Sequence, residues 1–119
     1  MTRILFAMLA GAFAASVHAE APPVKVTDGA YTTDIGLALY FSDKDAAGKS
    51  NCNGACLNKW APLLSTSKAR PEGSWAVIQR DDGVPMWAYK GRPVYRFSGE
   101  KPGEKRGDGV DNAWHVVKP

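Results

Sequence analysis

Cys52 and Cys56 stand four residues apart and are the only cysteines in the chain. Two thiols at that spacing can close a disulfide, hold a soft metal, or cycle between oxidation states. A regular helix would hold their Cβ atoms ~5–6 Å apart, whereas a disulfide needs ~3.5–4.5 Å. Asn53-Gly54 lies between them and is a turn pair that supplies the distortion. The metal version recruits His115 and Met86, which with two thiolates form a donor set suited to Cu(I). Attached c-type haem is excluded, because Leu57 follows Cys56 and the spacing is not Cys-x-x-Cys-His. Carboxylates come in close pairs at Asp43/Asp45 and Asp81/Asp82, but both lie in turn-forming sequence, where capping and solvation account for them. The chain has neither a Gly-x-Ser-x-Gly elbow nor a His-Glu-x-x-His pair. Asp108 to Asn112 offers oxygen ligands without the spacing of an EF-hand loop. No catalytic residue is expected, and the cysteines are expected to form a disulfide.

The N-terminal segment favours that disulfide. Arg3 is followed by an apolar run from Ile4 to Ala15, broken only by Gly11, and Val17-His18-Ala19 has the small-residue form of a cleavage site. This is the pattern of an export signal spanning residues 1–19. The run is shorter than the roughly 18–20 residues that cross a bilayer, and no cysteine stands at the cleavage site for lipid attachment. The expected product is soluble, periplasmic or secreted, and spans residues 20–119 as a single domain. Export to an oxidising compartment favours a disulfide over free thiols.

The whole chain has a formal net charge of +3, which gives no case for nucleic acid. Glu100 and Glu104 interleave the basic stretch Lys101 to Arg106, as in a solvated loop. Aliphatic residues are few, and four tryptophans and four tyrosines supply much of the apolar area. The core is therefore expected to be aromatic. A groove of exposed aromatics that binds glycan is the weaker alternative.

These residues must be positioned mostly by strands. Val24 to Thr27 alternates and ends at Asp28-Gly29, and Gly36 to Phe41 is a second strand candidate. Ala55 to Trp60 suits one or two helical turns before Pro62. Trp75 to Arg80, Pro85 to Tyr89 and Pro93 to Phe97, punctuated by Asp82-Gly83 and Lys90-Gly91, read as a three-stranded meander. The prolines belong at strand starts or edges. Ser98 to Asn112 is a polar loop, and Ala113 to Val117 closes the chain as a strand.

The chain also echoes itself. Gly36-x-x-Leu39-Tyr40 matches Gly91-x-x-Val94-Tyr95, and after a polar loop each tyrosine is followed by a tryptophan, Trp60 or Trp114. The fold expected is mainly β, a small single domain of two related half-repeats with antiparallel strands and at most one short helix.

From Thr33 onward the chain resembles a bacterial family of secreted proteins and lipoproteins with a Tyr-x-(Phe/Trp/Tyr)-x-x-Asp repeat of unknown function. The resemblance rests on Leu39 to Asp45, Gly48 to Cys56, Trp60 to Leu63, Trp87 to Gly91, Pro93-Val94-Tyr95, and Gly107 to Val116. Tyr40 and Asp45 fit the first motif, with Ser42 at the aromatic place. Tyr95 and Phe97 fit the second, with Glu100 at the acidic place. The resemblance implies that Tyr40, Asp45, Trp60, Trp87, Tyr95, Phe97 and Trp114 are motif or core positions, and it supplies no activity. The expected function is a non-enzymatic binding or structural module of the bacterial envelope, without a cofactor. The alternative is a copper-binding or thiol-redox protein that uses Cys52, Cys56, His115 and Met86.

Overall fold

The computed structural model describes residues 19–119. The export-signal reading falls on residues 1–18, outside the described residues, except at Ala19. Among the described residues the fold is built from short antiparallel strands and single 3-10 turns.

Strands β1 (Val24–Thr27) and β2 (Ala30–Thr33) form a hairpin around Asp28-Gly29. Both turn residues have positive φ, as a two-residue hairpin turn requires. The second strand candidate is corrected here. Gly36 turns the chain at φ +88°, its amide bonded to the Thr33 carbonyl, and the Thr33 hydroxyl accepts the Leu37 amide. The strand proper, β3, is therefore only Tyr40–Ser42. The helical turns expected over Ala55 to Trp60 are a 3-10 segment, Gly54–Asn58, and Trp60 already belongs to β4 (Trp60–Pro62).

Next come β5 (Trp75–Gln79) and β6 (Pro85–Tyr89), paired in register from Trp75↔Tyr89 to Gln79↔Pro85. The expected third strand, Pro93 to Phe97, divides at Val94. Its first part, β7 (Arg92–Pro93), edges the β5-β6 sheet, and its second part, β8 (Tyr95–Phe97), enters a different one. A second 3-10 turn, Val110–Asn112, precedes β9 (Trp114–Val116).

The central sheet has the order β4-β8-β3-β9. Its two middle strands meet at one antiparallel pair, Tyr40↔Tyr95. On one side Ser42 faces Trp114 and Tyr40 faces Val116, and on the other Phe97 faces Trp60 and Tyr95 faces Pro62. The tyrosine strand of each half thus pairs with the tryptophan strand of the other. The surrounding bonds repeat the pattern. The Leu63 amide bonds Val94, the Val94 amide Trp87, and the Trp87 amide Leu63. Likewise the Val117 amide bonds Leu39, the Leu39 amide Tyr31, and the Tyr31 amide Val117. The hairpins β1-β2 and β5-β6 therefore dock in corresponding places.

Period-two alternation sends successive side chains to opposite faces. One face carries Tyr40, Tyr95, Trp60, Trp114 and Val116, packed with Cys52 and Met86. The other carries Leu39, Val94 and Val117, packed with Leu63, Trp75 and Trp87. The Trp60 and Trp114 rings stack with centroids 3.6 Å apart and planes 5° from parallel. Tyr40 meets Trp60 edge-on, and Tyr95 meets Trp114 in the same way. Such aromatic pairs contribute about 0.5–1.5 kcal/mol each beyond the area they bury. Phe97, half-buried, covers the outer side of Trp60 at 4.9 Å.

Gly107 marks how tightly this centre closes. A Cβ there would lie 2.9 Å from Trp60 Cη2 and 2.9 Å from Tyr40 Cζ. Gly107→Ala is expected to destabilise the fold by about 1–3 kcal/mol through overpacking. Thermal unfolding followed by circular dichroism should show a melting point lower by roughly 5–15 °C. An unchanged melting point would mean that the rings stand further apart than described.

Candidate functional site

The chemistry-bearing side chains gather at the two ends of the tyrosine pair. Tyr95 is fully buried, and its hydroxyl donates to Asp45 Oδ2 at 2.7 Å. Tyr40 is equally buried, and its hydroxyl donates to Glu100 Oε1 at 2.6 Å. Each acid stands five residues after one tyrosine and accepts from the other. Each also accepts a backbone amide six residues downstream, Asn51 to Asp45 and Arg106 to Glu100, both at 2.7 Å. Asp45, which its turn-like setting reads as solvated and the family resemblance reads as a motif position, is half-buried and ties the two halves together. Asp43 lies apart and exposed, 2.6 Å from His115 Nε2.

The Asp45 end continues inward. Ser50, 1% exposed, hydrogen-bonds the Tyr95 hydroxyl. Tyr95 gives its proton to Asp45, so Ser50 donates to Tyr95. The Ser50 oxygen accepts from Arg80 Nη1 at 3.3 Å and from the Cys52 amide at 3.3 Å. Arg80 is the buried cation of this region, its side chain 2% exposed. Its Nη2 donates to the Cys52 carbonyl at 3.0 Å and to Asn53 Oδ1 at 3.2 Å, and its Nε faces Asp82 at 3.4 Å. A buried guanidinium is tolerated only when its donors are met, and here each nitrogen has a partner. Arg80 and Ser50 were not distinguished in the sequence. Arg80 is the last residue of a strand-like run before two aspartates, and nothing in that pattern marks its side chain as turned inward.

Cys52 and Cys56 form a disulfide with Cα atoms 5.3 Å apart. Cys52 is buried against the aromatic centre and Cys56 is half-buried beside it. The bond borders a groove of about 390 Å³ that Trp60 and Trp114 also line, with Lys44, Asp45, Asn51, Lys59 and Asp111 among its other walls. Met86 is completely buried in the same core cluster. Alternation along β9 turns His115 away from the Trp114 face, and it packs on Phe41 at 5.2 Å between centroids. The structure therefore places Cys52, Cys56 and Met86 on one side of the central sheet and His115 on the other. Among the described residues no three His, Cys, Asp or Glu side chains converge as a metal set.

Burial pushes the Tyr40 hydroxyl well above the ordinary phenol range, and the Glu100 carboxylate beside it adds to the shift. Burial likewise raises Tyr95, with Asp45 adding to the effect and the Ser50 hydrogen bond opposing it. Asp45 is also raised by burial, against the Asn51 amide, the Tyr95 hydroxyl and Arg80, which favour its charge.

Residues 76–118 match the model of a family described as a secreted repeat of unknown function. That span runs from within β5 through β9, one tyrosine strand, its polar loop and its tryptophan strand. None of the curated proteins and none of the solved structures matches the chain. Among the described residues no helix is long and apolar enough to cross a membrane.

Raised phenol pKa values fix a direction for alkaline stability. An unfolded tyrosine releases its proton near pH ~10, while the folded pair holds theirs longer. Stability is therefore full below pH ~10 and falls as pH rises beyond it. Tyr40→Phe and Tyr95→Phe are each expected to flatten that fall in urea titrations between pH 8 and pH 11, while losing about 1–3 kcal/mol at neutral pH. An alkaline slope unchanged in both variants would exclude the two phenols as its source.

The disulfide closes a loop of only five residues, and chain-entropy reasoning gives it about 2 kcal/mol. Chemical denaturation with and without reductant should show a loss of that size and a reduced protein that still folds. Complete unfolding on reduction would make the bond a structural requirement.

Proposed function

We propose that the chain is an exported, non-enzymatic binding module of the bacterial envelope, built from two copies of the repeat unit that the family model matches once. Residues 24–64 are the second copy. Support for the duplication comes from the corresponding hydrogen bonds of Tyr31 and Trp87, Leu39 and Val94, and Val117 and Leu63, and from the reciprocal tyrosine–acid bonds.

The observation that carries the binding reading is the groove beside the disulfide. It joins an aromatic and disulfide floor to a rim of Lys44, Lys59, Asn51 and Asp111, the mixture of apolar surface and a few polar groups that ligand sites present. The groups with catalytic potential, Asp45 at the groove wall included, are engaged with one another. Tyr40, Tyr95, Asp45, Glu100, Ser50 and Arg80 satisfy one another, and the two sulfurs are joined. Copper binding stands second, because it needs the sulfurs as thiolates and His115 on the face opposite to its own.

Intrinsic fluorescence tests the binding reading, because Trp60 and Trp114 border the groove. Titration with soluble envelope polysaccharide is expected to give a saturable change. Ala55→Arg and Lys59→Glu alter groove-lining positions outside the buried core, and each should abolish that change without lowering the melting point. A flat titration, or a change retained in both variants, would overturn the assignment of this groove. Turnover of a substrate that depended on one of the named side chains would overturn the non-enzymatic reading.

A further inference from the structure

The opposite face of the central sheet carries a second cleft. It measures about 300 Å³ and is lined by Phe41, Tyr89, Val94 and Val117, with Lys90, Arg92 and Lys118 around it. No acidic side chain lines it. Among the described residues none of the three cations lies within ion-pairing distance of a carboxylate, as is true of most exposed cations of the chain. Two of the three are held against aromatic rings. The Arg92 guanidinium sits 4.4 Å from the Phe41 centroid and the Lys90 ammonium 5.3 Å from that of Tyr89. Cation–π contact restrains both side chains without neutralising them.

A separate observation concerns the backbone. Lys90 and Gly91 form the two-residue turn between β6 and β7, with φ of +50° and +78°. Such turns favour Asn, Asp or Gly at the first position, because positive φ crowds Cβ, which Gly lacks and which a short polar side chain offsets by bonding the local backbone. The β1-β2 turn of the same chain has Asp28-Gly29, with φ of +50° and +77°. Lysine thus occupies a place where the other hairpin carries a residue suited to it, and the strained residue is one of the three cations at the cleft.

We propose that this cleft binds a phosphate ester, with Arg92 supplying a planar pair of donors and Lys90 and Lys118 supplying point charges. Three unneutralised cations complement a phosphomonoester, which carries about −1.5 to −2 charges at neutral pH, better than a single carboxylate. Guanidinium and ammonium groups are the two side chains suited to phosphate oxygens. The volume accommodates the phosphate with a small polyol attached. The same phosphomonoester is offered by a soluble ester and by the head group of phosphatidic acid.

Calorimetric titration of the full chain with glycerol phosphate, in a low-salt buffer free of phosphate, tests the site. Saturable binding is expected, weakened about tenfold or more in Arg92→Ala and in Lys90→Asn. Lys90→Asn should at the same time keep or raise the melting point, because asparagine suits the turn. That pairing of lost binding with retained stability separates a ligand role from a structural one. Vesicles containing phosphatidic acid and vesicles of phosphatidylcholine alone distinguish the sources. Association with the former alone, competed by glycerol phosphate, assigns a lipid head group. Glycerol phosphate binding without vesicle association assigns a soluble ester. No saturable binding up to about 10 mM would overturn the proposal. So would binding that survives both substitutions, or that falls equally in Lys59→Ala on the other face.

Discussion

Everything in this fold is arranged around one antiparallel contact, Tyr40 opposite Tyr95. The two strands overlap at a single residue pair, so each must find the rest of its hydrogen bonds elsewhere. Each finds them in the tryptophan strand of the other half. Neither half contains a finished sheet, and the stacked Trp60 and Trp114 rings close the centre only when both tryptophan strands have arrived. The stabilising contacts are long-range by construction. Tyr40 and Glu100 are 60 residues apart, and Asp45 and Tyr95 are 50 apart. Loop-closure entropy must be met before any of these contacts forms, and contacts so distant in sequence slow folding relative to local ones.

The same crossing gives the acidic position its physical meaning. A carboxylate five residues beyond a tyrosine lies past the end of the short strand and the turn that follows, where it reaches the hydroxyl of the opposite tyrosine. The two ends solve this differently. At one, the shorter Asp45 is supplemented by Ser50, which fills the remaining place on the Tyr95 hydroxyl. At the other, the longer Glu100 spans more of the gap, and the Gly107 amide approaches Tyr40 in place of a serine. Glycine at 107 and glutamate at 100 are therefore linked choices. The backbone can come close to the ring only without a Cβ, and its amide then bonds both the phenol and the glutamate.

Much of the fold is legible in the sequence where local chemistry decides it. Val24–Thr27 follows alternation up to Asp28-Gly29, Pro85–Tyr89 is a short apolar run between Asp82-Gly83 and Lys90-Gly91, and the observed strands have those limits. Legibility fails where a distant partner decides. Ala30–Thr33 carries no strong apolar alternation and becomes a strand because it pairs with β1 and bonds Val117. Pro93 to Phe97 reads as one strand but changes sheets at Val94, because Tyr95 is claimed by Tyr40. The echo draws attention to the four aromatics that now sit at the centre. Glu100 reads as a departure from a motif, since nothing local reveals that its partner is Tyr40. Arg80 is the hardest case, an inward-facing cation whose acceptors belong mostly to the disulfide loop some thirty residues earlier.

The correspondence between halves holds at the tyrosine–tryptophan centre and lapses away from it, and the reason is physical. Inside, the hydroxyl–carboxylate bonds and the ring stack leave little room for change, because an unmatched buried polar group costs more than the bond it replaces contributes. Outside, corresponding places diverge. Four residues after Trp114 stands Lys118, beside the cationic cleft, while four residues after Trp60 stands Leu64, 54% exposed. One residue after Tyr40 stands Phe41, which carries the Arg92 guanidinium, while one residue after Tyr95 stands Arg96 itself. The paired architecture thus fixes a rigid centre and leaves its two outer faces free to differ.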